Sequence, residues 1–277
     1  MAETLARGPV TGTAVKTVKR KPFFIDLYST AVGKKYVMAL TGLIGVGFVV
    51  VHMIGNLKLY LGVVTEGDER IYDADVYGEF LRELLVPILP RTVALWLLRL
   101  VLIGAVLLHI HAAYGLTVLN RKARSVKYQS KRDYEVANFA SRSMRWTGII
   151  VALFIVFHLA ELTWGWTSDE GVRGAVYWNG DQSLSRLPVA MIYIVANILL
   201  GIHLAHGTWS LFQSMGWNNP RFNQWRRGLA VGTAPIVVVG NLSFPIATLA
   251  GVKVYDPAAV AQQGEPAARP STAPRRS

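Results

Sequence analysis

The chain has 277 residues, of which 52% are hydrophobic and only 17% charged, and it carries a net charge of +12. A soluble domain usually carries about a quarter charged residues, so this composition, with its apolar residues gathered into blocks, points to an integral membrane protein. The absence of cysteine excludes disulfides, covalently attached haem of the C-x-x-C-H kind and any iron–sulfur cluster held by the chain's own thiolates. The basic excess is the kind that collects in cytoplasmic loops, so no nucleic-acid partner is inferred from it.

Residues 1–28 contain no apolar signal-peptide core and read as a polar cytoplasmic tail. A membrane domain is expected over 29–255, and the Ala/Pro/Gln/Arg-rich stretch 256–277 reads as a disordered tail. Five segments are long enough to cross about 30 Å of hydrocarbon, which takes about 20 helical residues. They lie at 36–61, 93–119, 145–166, 188–212 and 229–252, and Pro235 and Pro245 predict a kink in the last. None alternates like a barrel strand, so the expected fold is all-α, a bundle of five transmembrane helices.

The connecting segments alternate in charge. Residues 1–35 carry seven Lys/Arg against two acids, 120–145 eight against two, and 213–228 three against none. Between them, 62–92 carries seven acids against three Arg and 167–187 three acids against two Arg. By the positive-inside rule the N-terminus is cytoplasmic and the C-terminus outside.

All six histidines fall inside these spans: His52 in the first, His109 and His111 in the second, His158 in the third, His203 and His206 in the fourth. Ionisable residues inside a membrane are rare and default to functional candidates. The plainer alternative, neutral histidines bonding between helices, is a poor account of six of six over four consecutive helices. At about 1.5 Å rise per residue, His52 and His158 lie ~24 and ~20 Å from the inner face, whereas His111 and His203 lie ~12–14 Å from it, with His109 slightly deeper and His206 slightly shallower. That makes two layers, each able to take one histidine from each of two helices, the arrangement that a bis-imidazole haem needs. His109 and His111 point roughly 200° apart, so only one can face a shared cofactor, whereas His203 and His206 lie within roughly 60° and either can ligate. The glycines of the first and fourth spans let a flat macrocycle approach the backbone, or serve ordinary helix packing. Arg99 suits a haem propionate or a snorkelling position at the interface.

Four motifs carry a family resemblance: "STAVGKKYVMALTG" leading to "VVHMIGNLKLYLG" in the first span, "LLHIHAAYGLTVLNRKAR" closing the second, "RWTGIIVALFIVFHLAELTWG" in the third and "HLAHGTWSLFQSMGWNNP" closing the fourth. In this order, over about residues 29–220, the chain resembles the single-chain cytochrome b membrane anchor of prokaryotic succinate dehydrogenase/fumarate reductase, respiratory complex II. The resemblance implies five helices with haem b ligands on the first four, one or two haems, outer ligands at His52 and His158, and inner ligands at His203 and one of the second-span pair. "LHIHAAYGL" matches in two registers, His109 or His111, and His109 is the reading adopted. The resemblance also implies a flavoprotein subunit and an iron–sulfur subunit on the cytoplasmic face, with this chain passing their electrons to menaquinone or ubiquinone.

Reducing a quinone takes two protons and hydrogen bonds to two carbonyl oxygens. Near the inner face the candidates are Ser29, Lys35 and Tyr36 before the first span, Arg145 and Trp146 at the start of the third, and His206; Tyr, Trp and Lys also belong at membrane boundaries on general grounds. Glu161, one turn after His158, suits an outer proton relay or the headgroup level. Three rivals stand beside this reading. One is the cytochrome b anchor of another quinone-linked dehydrogenase. Another is a Rieske-type [2Fe–2S] centre, whose two thiolates a partner would have to supply. The last is a transporter with histidine proton relays.

Overall fold

The computed structural model describes residues 22–66, 69–123, 139–166, 172, 174–217 and 219–252. Residues 1–21 of the expected tail 1–28, all of the expected tail 256–277, and most of the basic segment after the second span lie outside the described residues.

A short helix α1 (Phe23–Ser29) leads into α2 (Ala31–Asn56), which continues as a 3-10 turn over Leu57–Tyr60. There follow strands β1 (Val63–Glu66) and β2 (Glu69–Tyr72), α3 (Asp73–Arg82), α4 (Val93–Lys122), α5 (Phe139–His158) with a π turn over Leu159–Thr163, α6 (Val176–Ser185), α7 (Leu187–Ser214) and α8 (Pro220–Leu249). Five of these helices, α2, α4, α5, α7 and α8, are long and apolar enough to cross a membrane, over Ala31–Tyr60, Val93–Lys122, Ser143–Thr163, Leu187–Ser214 and Asn223–Leu249.

Each of the five agrees with a predicted span, but three begin well ahead of the expected start. The first helix starts at Ala31 because Thr30 caps it, its hydroxyl oxygen accepting from Gly33 N at 3.0 Å; such a cap is worth about 1 kcal/mol. Lys35 and Tyr36 therefore lie within α2 rather than ahead of it. The fifth starts at Pro220, where the Asn219 side chain accepts from Arg221 N at 2.9 Å and proline occupies the first turn. The third starts at Phe139, ahead of the apolar run. An apolar window sees only the part of a helix that needs hydrocarbon, whereas capping chemistry sets where the helix begins. α8 runs through both Pro235 and Pro245, and the latter is fully buried.

The all-α expectation holds for the membrane-length elements and misses a small cap at one end of the bundle. There β1 and β2 pair antiparallel, Val63 opposite Tyr72. Tyr72 stacks on Tyr177 of α6 at 3.9 Å between ring centres, Asp75 Oδ1 accepts from Tyr177 N at 3.0 Å, and Lys58 pairs with Asp73 at 2.7 Å. These contacts join the connection after the first long helix to the connection after the third. The opposite end carries Lys35, Arg145 and Arg221 and is the basic end.

The long helices pack as two pairs, α2 with α4 and α5 with α7; α2 touches α7 to join them, and α8 lies along α7. α7 is central, burying Val189, Tyr193, Asn197, Gly201, Leu204 and Thr208 at three- and four-residue spacing, the pattern of one helical face. One core cluster joins Leu204 to Ala234 and Val237 of α8 and to Val46, Val49 and Val50 of α2. A second joins Tyr193 and Val189 to Phe244, Phe154 and Phe157. α4 leans on α2 and turns Trp96, Leu98, Val101 and Leu107 outward.

Close packing of α7 on α8 depends on Gly201, where a Cβ would fall 2.2 Å from Val238 Cγ2. At Gly240 a Cβ would fall 2.3 Å from Met53 Sδ. Valine is stiff at χ1, whereas methionine has three rotatable bonds and yields. Gly201→Ala is therefore expected to cost about 1–3 kcal/mol and to lower the thermal midpoint of the detergent-solubilised protein, with Gly240→Ala milder. Equal loss from both would contradict this packing.

Candidate functional site: two histidine pairs

Thr41 and His52 are eleven residues apart on α2, close to three full turns, so they share one face about 16 Å apart along the axis. Thr147 and His158 repeat the spacing on α5. His109 of α4 and His203 of α7 stand at the level of the two threonines.

The structure brings four of the six histidines together as two pairs. The rings of His52 and His158 lie 5.8 Å apart between centres, at 76°. Those of His109 and His203 lie 6.4 Å apart, at 63°. Each pair takes its two rings from different helices, one from the α2/α4 half and one from the α5/α7 half. These are the pairings expected from depth, and the second-span member is His109.

At all four histidines Nδ1 is engaged. Thr41 Oγ1 lies 3.1 Å from His109 Nδ1, and Thr147 Oγ1 lies 3.2 Å from His203 Nδ1. Tyr193 OH lies 3.1 Å from His158 Nδ1, and the Asn56 side-chain amide 3.2 Å from His52 Nδ1. With Nδ1 engaged, Nε2 is the nitrogen each ring has left to offer. Small residues back the inner pair: a Cβ on Gly42 would lie 3.4 Å from His109 Cε1, and one on Gly148 3.3 Å from His203 Cε1. Phenylalanines flank the outer pair, with Phe48 5.3 Å from His52 and Phe154 5.9 Å from His158 between ring centres.

Two imidazoles on opposite sides of one metal ion, each bonded at about 2 Å, have ring centres about 6 Å apart. The two measured separations fit that value. Among the described residues no three or more His, Cys, Asp or Glu side chains converge on one point. Each pair offers two imidazoles and could hold a group that supplies its other ligands itself.

The other candidates lie elsewhere. His111 is exposed on the opposite face of α4, where it stacks on Tyr28 at 5.7 Å and its Nδ1 lies 2.5 Å from Tyr28 OH. His206 is half-buried one turn beyond His203. Arg99 is exposed, with its guanidinium 5.0 Å over the Trp96 ring, a cation–π contact. Ser29 donates to Asp26 O, and its own carbonyl accepts from Lys34 Nζ at 3.1 Å. Lys35, Tyr36, Arg145 and Trp146 are exposed at the basic end, and among the described residues no hydrogen bond, ion pair or ring contact joins them.

Glu161 is buried. It is 3% exposed inside the π turn that follows His158, and π turns frequently mark functional sites. Its Oε1 accepts from Ser183 Oγ at 2.7 Å and from the Arg186 guanidinium, while Oε2 is buried without a hydrogen-bond partner among the described residues. Glu161 thus clamps α5 to the junction of α6 and α7.

Reasoning from sequence missed Thr41, Thr147, Tyr193, Asn56 and Tyr28. A signal for the threonines exists. Met38, Thr41, Gly42, Phe48 and His52 recur in register as Met144, Thr147, Gly148, Phe154 and His158. A second near-repeat misleads: "IHAAYG" at 110–115 matches "IHLAHG" at 202–207 and aligns His111, not His109, with His203.

Compared with known proteins, the chain matches no family model, and no curated protein or solved structure matches it.

Removing the Glu161 carboxylate leaves Ser183 and the half-exposed Arg186 without their shared acceptor. Hydrogen bonds to charged groups are worth about 1.5–3 kcal/mol, so Glu161→Ala is expected to lower the thermal midpoint clearly and Ser183→Ala by less. An unchanged midpoint for Glu161→Ala would show that the clamp does not bear on stability.

Proposed function

We propose that this chain is the haem b-carrying membrane anchor and electron-transfer subunit of a succinate:quinone oxidoreductase, multi-pass in a bacterial plasma membrane. The observation that carries the reading is the pair of two-ring sites, at two levels of one apolar bundle, each built from two helices. The four motifs that resemble the complex II anchor support the choice of complex.

In this reading His52 and His158 hold one haem and His109 and His203 the other. When bound, each haem supplies a one-electron carrier. The chain holds the rings on separate helices, engages each Nδ1 so that Nε2 is left for the bound group, and keeps the backbone bare beside the inner pair at Gly42 and Gly148. His111 and His206 stay outside the ligand sets. The basic end is the cytoplasmic end, where the iron–sulfur and flavoprotein subunits dock and succinate chemistry takes place on the flavoprotein. Quinone is held near that end: Lys35 and Arg145 offer donors to its carbonyl oxygens, and Tyr36 and Trp146 offer ring faces. The complex sits among membrane lipid, and assembly of whole complexes into a larger oligomer leaves these roles unchanged.

A dithionite-reduced minus oxidised spectrum of the purified complex is expected to show haem b bands. His52→Ala or His158→Ala should remove one centre and spare the other, His109→Ala or His203→Ala the reverse, and His111→Ala neither. A complex without haem b bands would overturn the haem reading in favour of a partner-completed cluster, a bare anchor or a transporter. Failure of succinate to reduce the bands or added quinone would move the chain to another quinone-linked dehydrogenase.

Orientation is tested separately, since the chain has no native cysteine to interfere. In intact cells an impermeant maleimide is expected to label Glu83→Cys at the cap end, and Arg221→Cys only after permeabilisation. The opposite pattern would invert the topology.

A further inference from the structure

The inner pair differs from the outer pair in what holds its Nδ1 atoms. Thr41 and Thr147 are 8% and 2% exposed, so their hydroxyls have only local partners. Each is already committed as a donor along its own helix. Thr41 donates to Val37 O at 2.7 Å, and Thr147 donates to Met144 O at 3.1 Å and Ser143 O at 3.2 Å. A threonine hydroxyl has one hydrogen and two lone pairs. With the hydrogen spent on a carbonyl of the preceding turn, the oxygen can only accept from the imidazole. His109 and His203 must then carry their proton on Nδ1 and present a bare Nε2.

The outer pair has no such one-way partner. The Tyr193 hydroxyl can donate or accept, and so can the two ends of the Asn56 amide. The device is also duplicated: Thr41–Gly42 and Thr147–Gly148 occupy matching places in the two recurring segments, and in each the threonine takes the ring's Nδ1 while the glycine leaves room for its Cε1.

We infer that Thr41 and Thr147 are paired positioning residues that lock His109 and His203 in the Nδ1-protonated tautomer, so that the inner site alone is pre-set for ligation through both Nε2 atoms. The inference rests on the haem reading for its redox consequence and on hydrogen-bond geometry alone for the tautomer. A ligating imidazole that donates its other N–H becomes a more basic ligand, and loss of such an outer partner typically costs 10–100-fold in affinity for the bound group. A more basic ligand favours the oxidised metal, so removing the acceptor raises the midpoint potential.

The test uses the intact complex with Thr41→Val and Thr147→Val, singly and together, beside Thr41→Ser and Thr147→Ser. Potentiometric titration is expected to show the inner centre's potential raised in the valine variants and the outer centre's unmoved. Retention of the inner haem should fall about tenfold or more, and serine should restore both. Unchanged inner potential and retention in the double valine variant would overturn the proposal, and so would serine variants that behave like valine, since that would mean side-chain shape alone matters. A second measurement does not depend on haem. Nitrogen-15 spectra of histidine-labelled complex prepared without haem are expected to show His109 and His203 protonated at Nδ1 in the parent and mixed in the valine variants. Protonation at Nε2 in the parent would overturn the tautomer lock whether or not haem is present. If instead the lock holds but His109→Ala and His203→Ala remove no haem, the failure belongs to the functional reading.

Discussion

A polar ring placed in an apolar helix bundle has to be met by another polar group, because hydrocarbon offers it nothing. The geometry of this protein is organised around that requirement. Each of the four paired histidines meets a second ring on one side and a hydroxyl or amide at Nδ1 on the other. Apart from Asn56, which shares α2 with His52, those partners come from different helices, so satisfying the rings also fixes how α2, α4, α5 and α7 stand relative to one another. The tight contacts elsewhere, Gly201 against Val238 and Gly42 and Gly148 against the imidazoles, are the steric conditions under which the helices come near enough for this to happen.

The existence of the five long helices was plain in the sequence, since each needs an apolar block and such blocks have few other uses. Their starts were less legible. Thr30, Asn219 and Pro220 act through the backbone amides of the first turn, and an apolar window does not register them. The cap of β1, β2, α3 and α6 escaped notice because its stability comes from contacts far apart in sequence, such as Tyr72 on Tyr177 and Asp75 on the Tyr177 amide.

The candidate site was legible in depth but not in detail. Counting 1.5 Å per residue from each end separates an outer pair from an inner one and shows that His109 and His111 cannot both serve. It does not show which of the two faces His203, and the near-repeat around Gly115 and Gly207 points the wrong way. Only the packing of α4 on α2, which sets His109 beside Thr41 and His111 beside Tyr28, decides it. Glu161 is a similar case. One turn from His158 it reads as a relay, and its burial against Ser183 and Arg186 emerges only once α6 folds back onto the π turn.

The seam between the two halves of the bundle has a consequence for how the protein is made. Synthesis delivers α2 and α4 first, and with them one ring of each pair. The outer pair gains its second ring when α5 emerges and the inner pair only when α7 does. Neither two-ring site can exist on a nascent chain that stops at α4, and the outer site is complete one long helix before the inner. Anything gripped by both rings of a pair is therefore captured late in synthesis, and once captured it rivets the early half of the chain to the late half.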